Sequence, residues 1–179
     1  MVAVHQYWYM IPGGKLPTVV IHPGEQFVES EPVIMSTLLG SCVAACLWDP
    51  VARVAGMNHF LLANQRYAKS MPLTITEAGR YGVHAMELLI NEMLKQGALK
   101  SRLLAKAYGG AALLGLESKD NYACVGEVNV RFIMEFLRTE GIELLEADLG
   151  GRQGRTIKFR TDTYEVQIKP IQSTILATV

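Results

Sequence analysis

Ser41-Cys42-Val43-Ala44-Ala45-Cys46-Leu47-Trp48-Asp49-Pro50-Val51-Ala52-Arg53-Val54-Ala55-Gly56-Met57-Asn58-His59-Phe60-Leu61 reads as two apolar arms around a reverse turn at Asp49-Pro50-Val51-Ala52. Paired about that centre, Ser41 to Trp48 and Arg53 to Leu61 form an antiparallel hairpin in which Cys42 stands opposite His59. Directly opposed residues have Cβ atoms about 4.5–5.5 Å apart, within reach of a thiol–imidazole hydrogen bond. Alternation along the strands puts Cys42, Ala44 and Cys46 on one face with His59, Met57 and Ala55. A thiolate is a strong nucleophile, and an adjacent imidazolium lowers its pKa, so the pair is a candidate catalytic dyad. The competing reading is that Cys42 is a small buried hydrophobe and His59 a core histidine bonded to backbone. His5, His22 and His84 lack a nucleophile placed by any comparable local geometry.

Working outward, Gln26 to Glu29 and Pro32 to Leu38 read as strands. Met1 to Gly24 reads as an irregular arm that wraps the domain or a partner, with Tyr7-Trp8-Tyr9 either an exposed sticky patch or, the favoured reading, docked on the domain's own surface. Asn64 to Leu73 is polar and broken by Pro72, a surface loop. A helix follows, capped by Thr74 or Thr76 and stopped at Gly97, with Met86, Leu89, Ile90, Met93 and Leu94 inward. Leu103 to Tyr108 is a buried strand ending at Gly109-Gly110, and Gly115 to Tyr122 a loop. Glu127 to Thr139 is a second helix with Val130, Ile133, Met134 and Leu137 inward. Ile142 to Asp148, Thr156 to Arg160 and Tyr164 to Ile168 complete the strands, with a glycine-rich turn over Gly150 to Arg155. This order predicts an α+β fold, its mixed β-sheets packed together as a sandwich-like core with two main helices outside.

The chain has 179 residues, half of them apolar, and zero formal net charge. That length suits one domain over 1–179, and the scattered charge gives no footprint for nucleic acid or an anionic membrane. Three cysteines and an opening Met1 to Tyr7 without a basic, apolar leader predict a reduced, cytoplasmic protein. Apolar runs are far shorter than the ~20 residues of a membrane span. Cys46 and Cys124 have no ligand spacing around them, and no metal or other cofactor is expected.

Gly40 gives a tight approach to Cys42, and the backbone N–H groups of Ser41 and Cys42 are candidate oxyanion donors. A third group orienting the imidazole would come from Ser36 or Thr37, because Asn58 points to the face opposite His59. Both hydroxyls have the plain alternative of satisfying local backbone. Gly109-Gly110-Ala111 and Gly150-Gly151-Arg152 fit no phosphate-loop pattern and read as tight turns.

Thr37-Leu-Leu-Gly-Ser-Cys42, the Gly56-Met-Asn-His59 strand, Arg80-Tyr81-Gly82, Ala107-Tyr108-Gly109-Gly110-Ala111, Gly126-Glu127-Val128-Asn129 and Asp148-Leu149-Gly150-Gly151-Arg152, in this order, resemble the CheD family of bacterial chemoreceptor glutamine deamidases. The resemblance spans about Gly24 to Lys169. It implies packed β-sheets with outer helices, related to bacterial toxin deamidases, and a cysteine hydrolase converting receptor glutamines to glutamates. Cys42 would be its nucleophile and His59 its general base. The family's third catalytic group, a threonine six positions before the cysteine, falls on Ser36 here, with Thr37 one residue later. Chemoreceptor cytoplasmic domains are the implied substrates and a CheC-type phosphatase a further partner. Two alternatives stand beside this one: a weakly catalytic or non-catalytic docking module for such a phosphatase or receptor, and a related cysteine hydrolase of methylesterase, transglutaminase or protease type.

Overall fold

Short apolar stretches form nine strands and two helices among the described residues of the computed structural model, which are 16–62, 77–112 and 125–171. In chain order these are β1 (Thr18–Val20), β2 (Gln26–Glu29), β3 (Ile34–Leu39), β4 (Val43–Asp49), β5 (Val54–Asn58), α1 (Glu77–Lys95), β6 (Leu104–Gly109), α2 (Val125–Glu140), β7 (Glu143–Leu149), β8 (Arg155–Arg160) and β9 (Val166–Pro170). One sheet has the order β1-β3-β8-β9, the other β2-β5-β4-β6-β7. The two pack face to face, and both helices cover the outer face of the five-stranded sheet. The expected α+β sandwich with outer helices is therefore observed.

β4 explains this layering. Every one of its residues is buried, because one face meets the helices and the other meets the second sheet. Val43, Ala45 and Leu47 join the helix-side core with Phe60, Met86, Leu89 and Phe132. Ala44, Cys46 and Trp48 join the inter-sheet core with Met35, Leu39, Met57 and Phe159. A strand buried on both faces reads as a continuous apolar run rather than an alternation.

The hairpin forms, with a register two residues away from the expected one. β4 and β5 pair from Cys46 with Met57 to Asp49 with Val54, and Val43 bridges Phe60. The loop is therefore Pro50 to Arg53, the same length as the expected turn but moved one residue along the chain. Asp49 stabilises it by accepting from the Val51 and Ala52 N–H groups (2.9 and 3.1 Å), and Arg53 takes a left-handed φ of 57°. In this register Ala44 stands beside His59, and Cys42 beside Leu61. A shift by two preserves faces, so Cys42 and His59 share a face as diagonal neighbours.

Other elements differ from expectation in ways that packing explains. Thr18–Val20, inside the stretch expected to be an irregular arm, is a strand parallel to β3. On α2 the inward rows are Val128-Phe132-Phe136 and Asn129-Ile133-Leu137, so Met134 is flanking and 46% exposed, and Val130 only half-buried. The two phenylalanines take the inward places through their bulk, Phe132 meeting Phe60 edge-on and Phe136 at a tilt. Leu94 of α1, expected inward, is likewise exposed at the edge of its stripe. Gly97 ends that helix with φ 98°. Tyr7-Trp8-Tyr9, the Asn64 to Leu73 loop, the Thr74 and Thr76 caps, the Gly115 to Tyr122 loop and Cys124 lie outside the described residues. Among those described, no helix is long and apolar enough to cross a membrane.

Candidate active site

Cys42 sits in the corner between β3 and β4, half-buried, and its short loop is held by its carbonyls. Gly110 N–H donates to Cys42 O (2.7 Å), Ala111 N–H to Gly40 O (2.9 Å), and Asn129 Nδ2 to Ser41 O (2.7 Å). Among the described residues the Ser41 N–H finds no acceptor, and the Cys42 N–H meets only its own thiol. Gly109 is required at this corner: at φ 108°, a Cβ there would lie 2.2 Å from the Cys42 carbonyl oxygen. Gly150 N–H in turn donates to Gly109 O, and Arg155 ties the Gly150 turn through the carbonyls of Asp148 and Gly150 and the Asp148 carboxylate. The two glycine pairs read as tight turns thus buttress the cysteine loop.

His59 follows β5 directly, and its backbone pairs with the two residues leading into β2: Gly24 N–H donates to His59 O and His59 N–H to Glu25 O. The residue is 2% exposed. Thr37 Oγ1 donates to Ile21 O (2.6 Å) and lies 2.8 Å from His59 Nδ1. With its proton committed to Ile21, the hydroxyl accepts from Nδ1–H, which assigns the tautomer. Nε2 is thereby left with a lone pair, buried and without a partner among the described residues. An unpaired buried polar atom is costly, and this one belongs to the ring on the same face as Cys42.

Ser36 and Thr37 part company here. Alternation turns Thr37 toward His59, whereas Ser36 Oγ donates across to Ile157 O (3.1 Å) on β8. Ile21, whose carbonyl completes the relay, was not visible in sequence, since a backbone acceptor leaves no side-chain signal. Asn58 lies on the helix side, as alternation required, bonded to Ala45 N–H and Ala85 O. His22 is exposed and His84 is exposed on α1. A groove of about 560 Å³ opens beside His59 between β2 and α1, with Phe27, Tyr81, His84 and Leu88 in its walls. Cys42 does not line it.

The electrostatics differ from the thiolate–imidazolium expectation. Burial pushes the Cys42 thiol above its ordinary 9.0, partly offset by its own backbone N–H. Burial also holds His59 below its ordinary 6.5, with the Ile21 carbonyl and Glu25 opposing and His22 reinforcing. Near neutral pH the two rest as neutral thiol and neutral imidazole. A pair in that state sets a neutral base on the same face as a neutral thiol. Cys46, wholly buried, has its thiol pushed far up by burial and is chemically inert.

The family described as CheD chemotactic sensory transduction matches residues 61–170. Among similar curated proteins, the "Probable chemoreceptor glutamine deamidase CheD 1" of Geobacter sulfurreducens is 54% identical over 153 residues, which is 85% of this chain and 76% of that protein. The protein of that name numbered CheD 2 from Shewanella oneidensis is 47% identical over 150 residues (83% and 74%). The Rhizobium etli "Probable chemoreceptor glutamine deamidase CheD" is 48% identical over 151 residues (84% and 78%). The solved Bacillus licheniformis hypothetical protein YfiH is more distant, at 16% identity and a TM-score of 0.41 over 69% of this chain and 49% of that one. With relatives of this identity aligned over most of its length, and with the sandwich already described, the chain belongs to the CheD family.

Proposed function

We propose that the protein is a glutamine deamidase of chemoreceptors in bacterial chemotaxis, acting through a thioester on Cys42. The observation that carries the chemistry is the Thr37–His59 bond with Nε2 left unpartnered. A neutral imidazole held in one tautomer, with its basic nitrogen buried and free, is arranged to take a proton.

In this reaction Cys42 Sγ attacks the glutamine side-chain carbonyl carbon as its proton moves to His59 Nε2. The oxyanion faces the N–H groups of Ser41 and Cys42. Nε2 returns the proton to the departing nitrogen, ammonia leaves, and the acyl group stays on sulfur as a thioester. Water, deprotonated by Nε2, then attacks the same carbon. The thiolate leaves and recovers the proton, so that one water is consumed and one ammonia and one glutamate side chain are released. Thr37 keeps the ring oriented throughout. Gly40, Ser41 and the Gly109–Gly110 corner fix the nucleophile's backbone. Support for a CheC-type phosphatase as a second partner, and for a cytoplasmic site of action, comes from the family alone.

The test is incubation with purified chemoreceptor cytoplasmic fragments and peptide mass spectrometry of their glutamines. Gln-to-Glu conversion is expected. His59→Ala should slow it by about 10²–10⁴-fold, the worth of a general acid–base group. Full-rate conversion by folded His59→Ala would overturn the assignment of the base.

A further inference from the structure

Asn129, in the second turn of α2, is wholly buried and bonded at both ends of its amide. Nδ2 donates to Ser41 O (2.7 Å) and Oδ1 accepts from Leu62 N–H (2.8 Å). Ser41 precedes the nucleophile by one residue, and Leu62 follows the base by three. The pairing of Val43 with Phe60 makes Ser41 and Leu62 the next hydrogen-bonded pair of the same ladder, counted two residues outward on each strand. In an unbroken ladder Leu62 N–H would donate straight to Ser41 O. Here the Asn129 amide stands between them, relaying the bond and holding the strands apart beside Cys42. At the other neighbouring pair, Ala45 N–H donates to the Asn58 side chain rather than to backbone. Val43 with Phe60 is thus the one direct backbone pair between the two interruptions, and both chemical groups are next to it.

The seating of the amide depends on α2's approach. A Cβ on Gly126, one helical turn before Asn129, would lie 2.4 Å from Gly110 O and 2.6 Å from Ala111 O. That backbone is the same one that bonds the carbonyls of Cys42 and Gly40. A side chain at 126 would push the helix, and Asn129 with it, off the cysteine loop.

We propose that Asn129 is a positioning residue for the deamidation: its amide, wedged into the ladder at Ser41 and Leu62, sets how the strand beginning at Cys42 diverges from the chain leaving His59. The inference rests on Cys42 and His59 being the reacting pair. Asn129 touches neither reacting atom and acts through the backbone on both sides.

The experiment measures kcat and KM on receptor fragments, together with peptide-resolved iodoacetamide labelling of Cys42. The variants are Asn129→Asp, which keeps the acceptor for Leu62 but loses the donor to Ser41, Asn129→Ser, and Gly126→Ala, each with and without His59→Ala. With folding verified by thermal melts, Asn129→Asp should lower kcat by about 10²-fold, the cost of a displacement of order 1 Å, with KM within about twofold, uniform binding being untouched. It should slow labelling of Cys42 when His59 is present and add nothing when His59 is absent. Gly126→Ala should show the same dependence on His59 at smaller amplitude. Wild-type kcat in folded Asn129→Asp, equal slowing of labelling with and without His59, or failure of both Asn129 variants to fold would each overturn the proposal. Unchanged turnover by Cys42→Ala would instead overturn the underlying assignment of the nucleophile, and the labelling comparison distinguishes the two outcomes.

Discussion

The two ends of the β4–β5 hairpin bury polar groups to the same depth and treat them in opposite ways. At the closed end, the Asp49 carboxylate is wholly inaccessible and fully bonded. It accepts from the N–H groups of Val51, Ala52 and Leu99 and, through two oxygens, from Arg102 at 2.7–3.1 Å. Burial alone would raise its pKa, but the Arg102 guanidinium and those N–H groups outweigh it and hold the carboxyl well below the usual carboxylate range. At the open end, His59 is as deeply buried with one ring nitrogen bonded and the other bare. There burial prevails and keeps the ring neutral. The closed end is built to hold a shape, and the open end to accept an atom the free protein does not supply.

Breaking the open end should cost activity and little stability. Cys42→Ala removes the nucleophile from a half-buried corner and should bring deamidation down to background, a loss of about 10³-fold or more, with the urea midpoint nearly unchanged. Breaking the closed end should do the reverse. Asp49→Ala leaves the Arg102 guanidinium and three N–H groups without their acceptor. The expected loss is about 3 kcal/mol in denaturant unfolding, at the low end for a broken buried pair because the Arg102 side chain is 31% exposed and can rehydrate. Turnover per folded molecule should stay at the wild-type value.

Finer changes sharpen the contrast inside the open end. Thr37→Val removes the acceptor for Nδ1–H and should lower kcat by about 10–10²-fold, while Ser36→Ala, bonded only to Ile157 O, should leave it within about twofold. A twofold effect from Thr37→Val alongside a large one from Ser36→Ala would reverse the assignment of the third group. The smallest effects are in pH. With the thiol raised above 9.0 and the imidazole lowered below 6.5, neither group titrates in between, so kcat/KM should be flat from about pH 6.5 to 9. Stability should fall on the acid side. As pH drops through 6.5 the unfolded chain takes up a proton at His59 that the folded chain resists, and unfolding free energy declines until the lower folded value is reached.

What was legible in the sequence follows the same division. The apolar run of β4, the helical stripes and the glycine stops could be read, because burial on a face repeats with the period of the element. That Cys42 and His59 lie on one face could be read for the same reason, even with the register misplaced by two. The register itself could not, since it depended on Arg53 accepting a left-handed φ and on the bonds to Asp49 moving the loop one residue along the chain. Choosing between Ser36 and Thr37 needed to know which face of β3 looks across the sandwich, a property of β8 and β1 rather than of the motif. Asn129 stood within a motif that the sequence could quote without assigning it work. Its two partners are backbone atoms distant in the chain, and such atoms leave no trace in side-chain pattern.

The most direct test of the account is to quench a reaction with receptor fragments under single-turnover conditions and to search the peptide bearing Cys42 for a hydroxylamine-sensitive acyl adduct. A thioester on Cys42 that forms as ammonia is released and decays as glutamate appears is the predicted result. Ammonia and glutamate appearing together, with no adduct on Cys42 and undiminished turnover by Cys42→Ala, would contradict it.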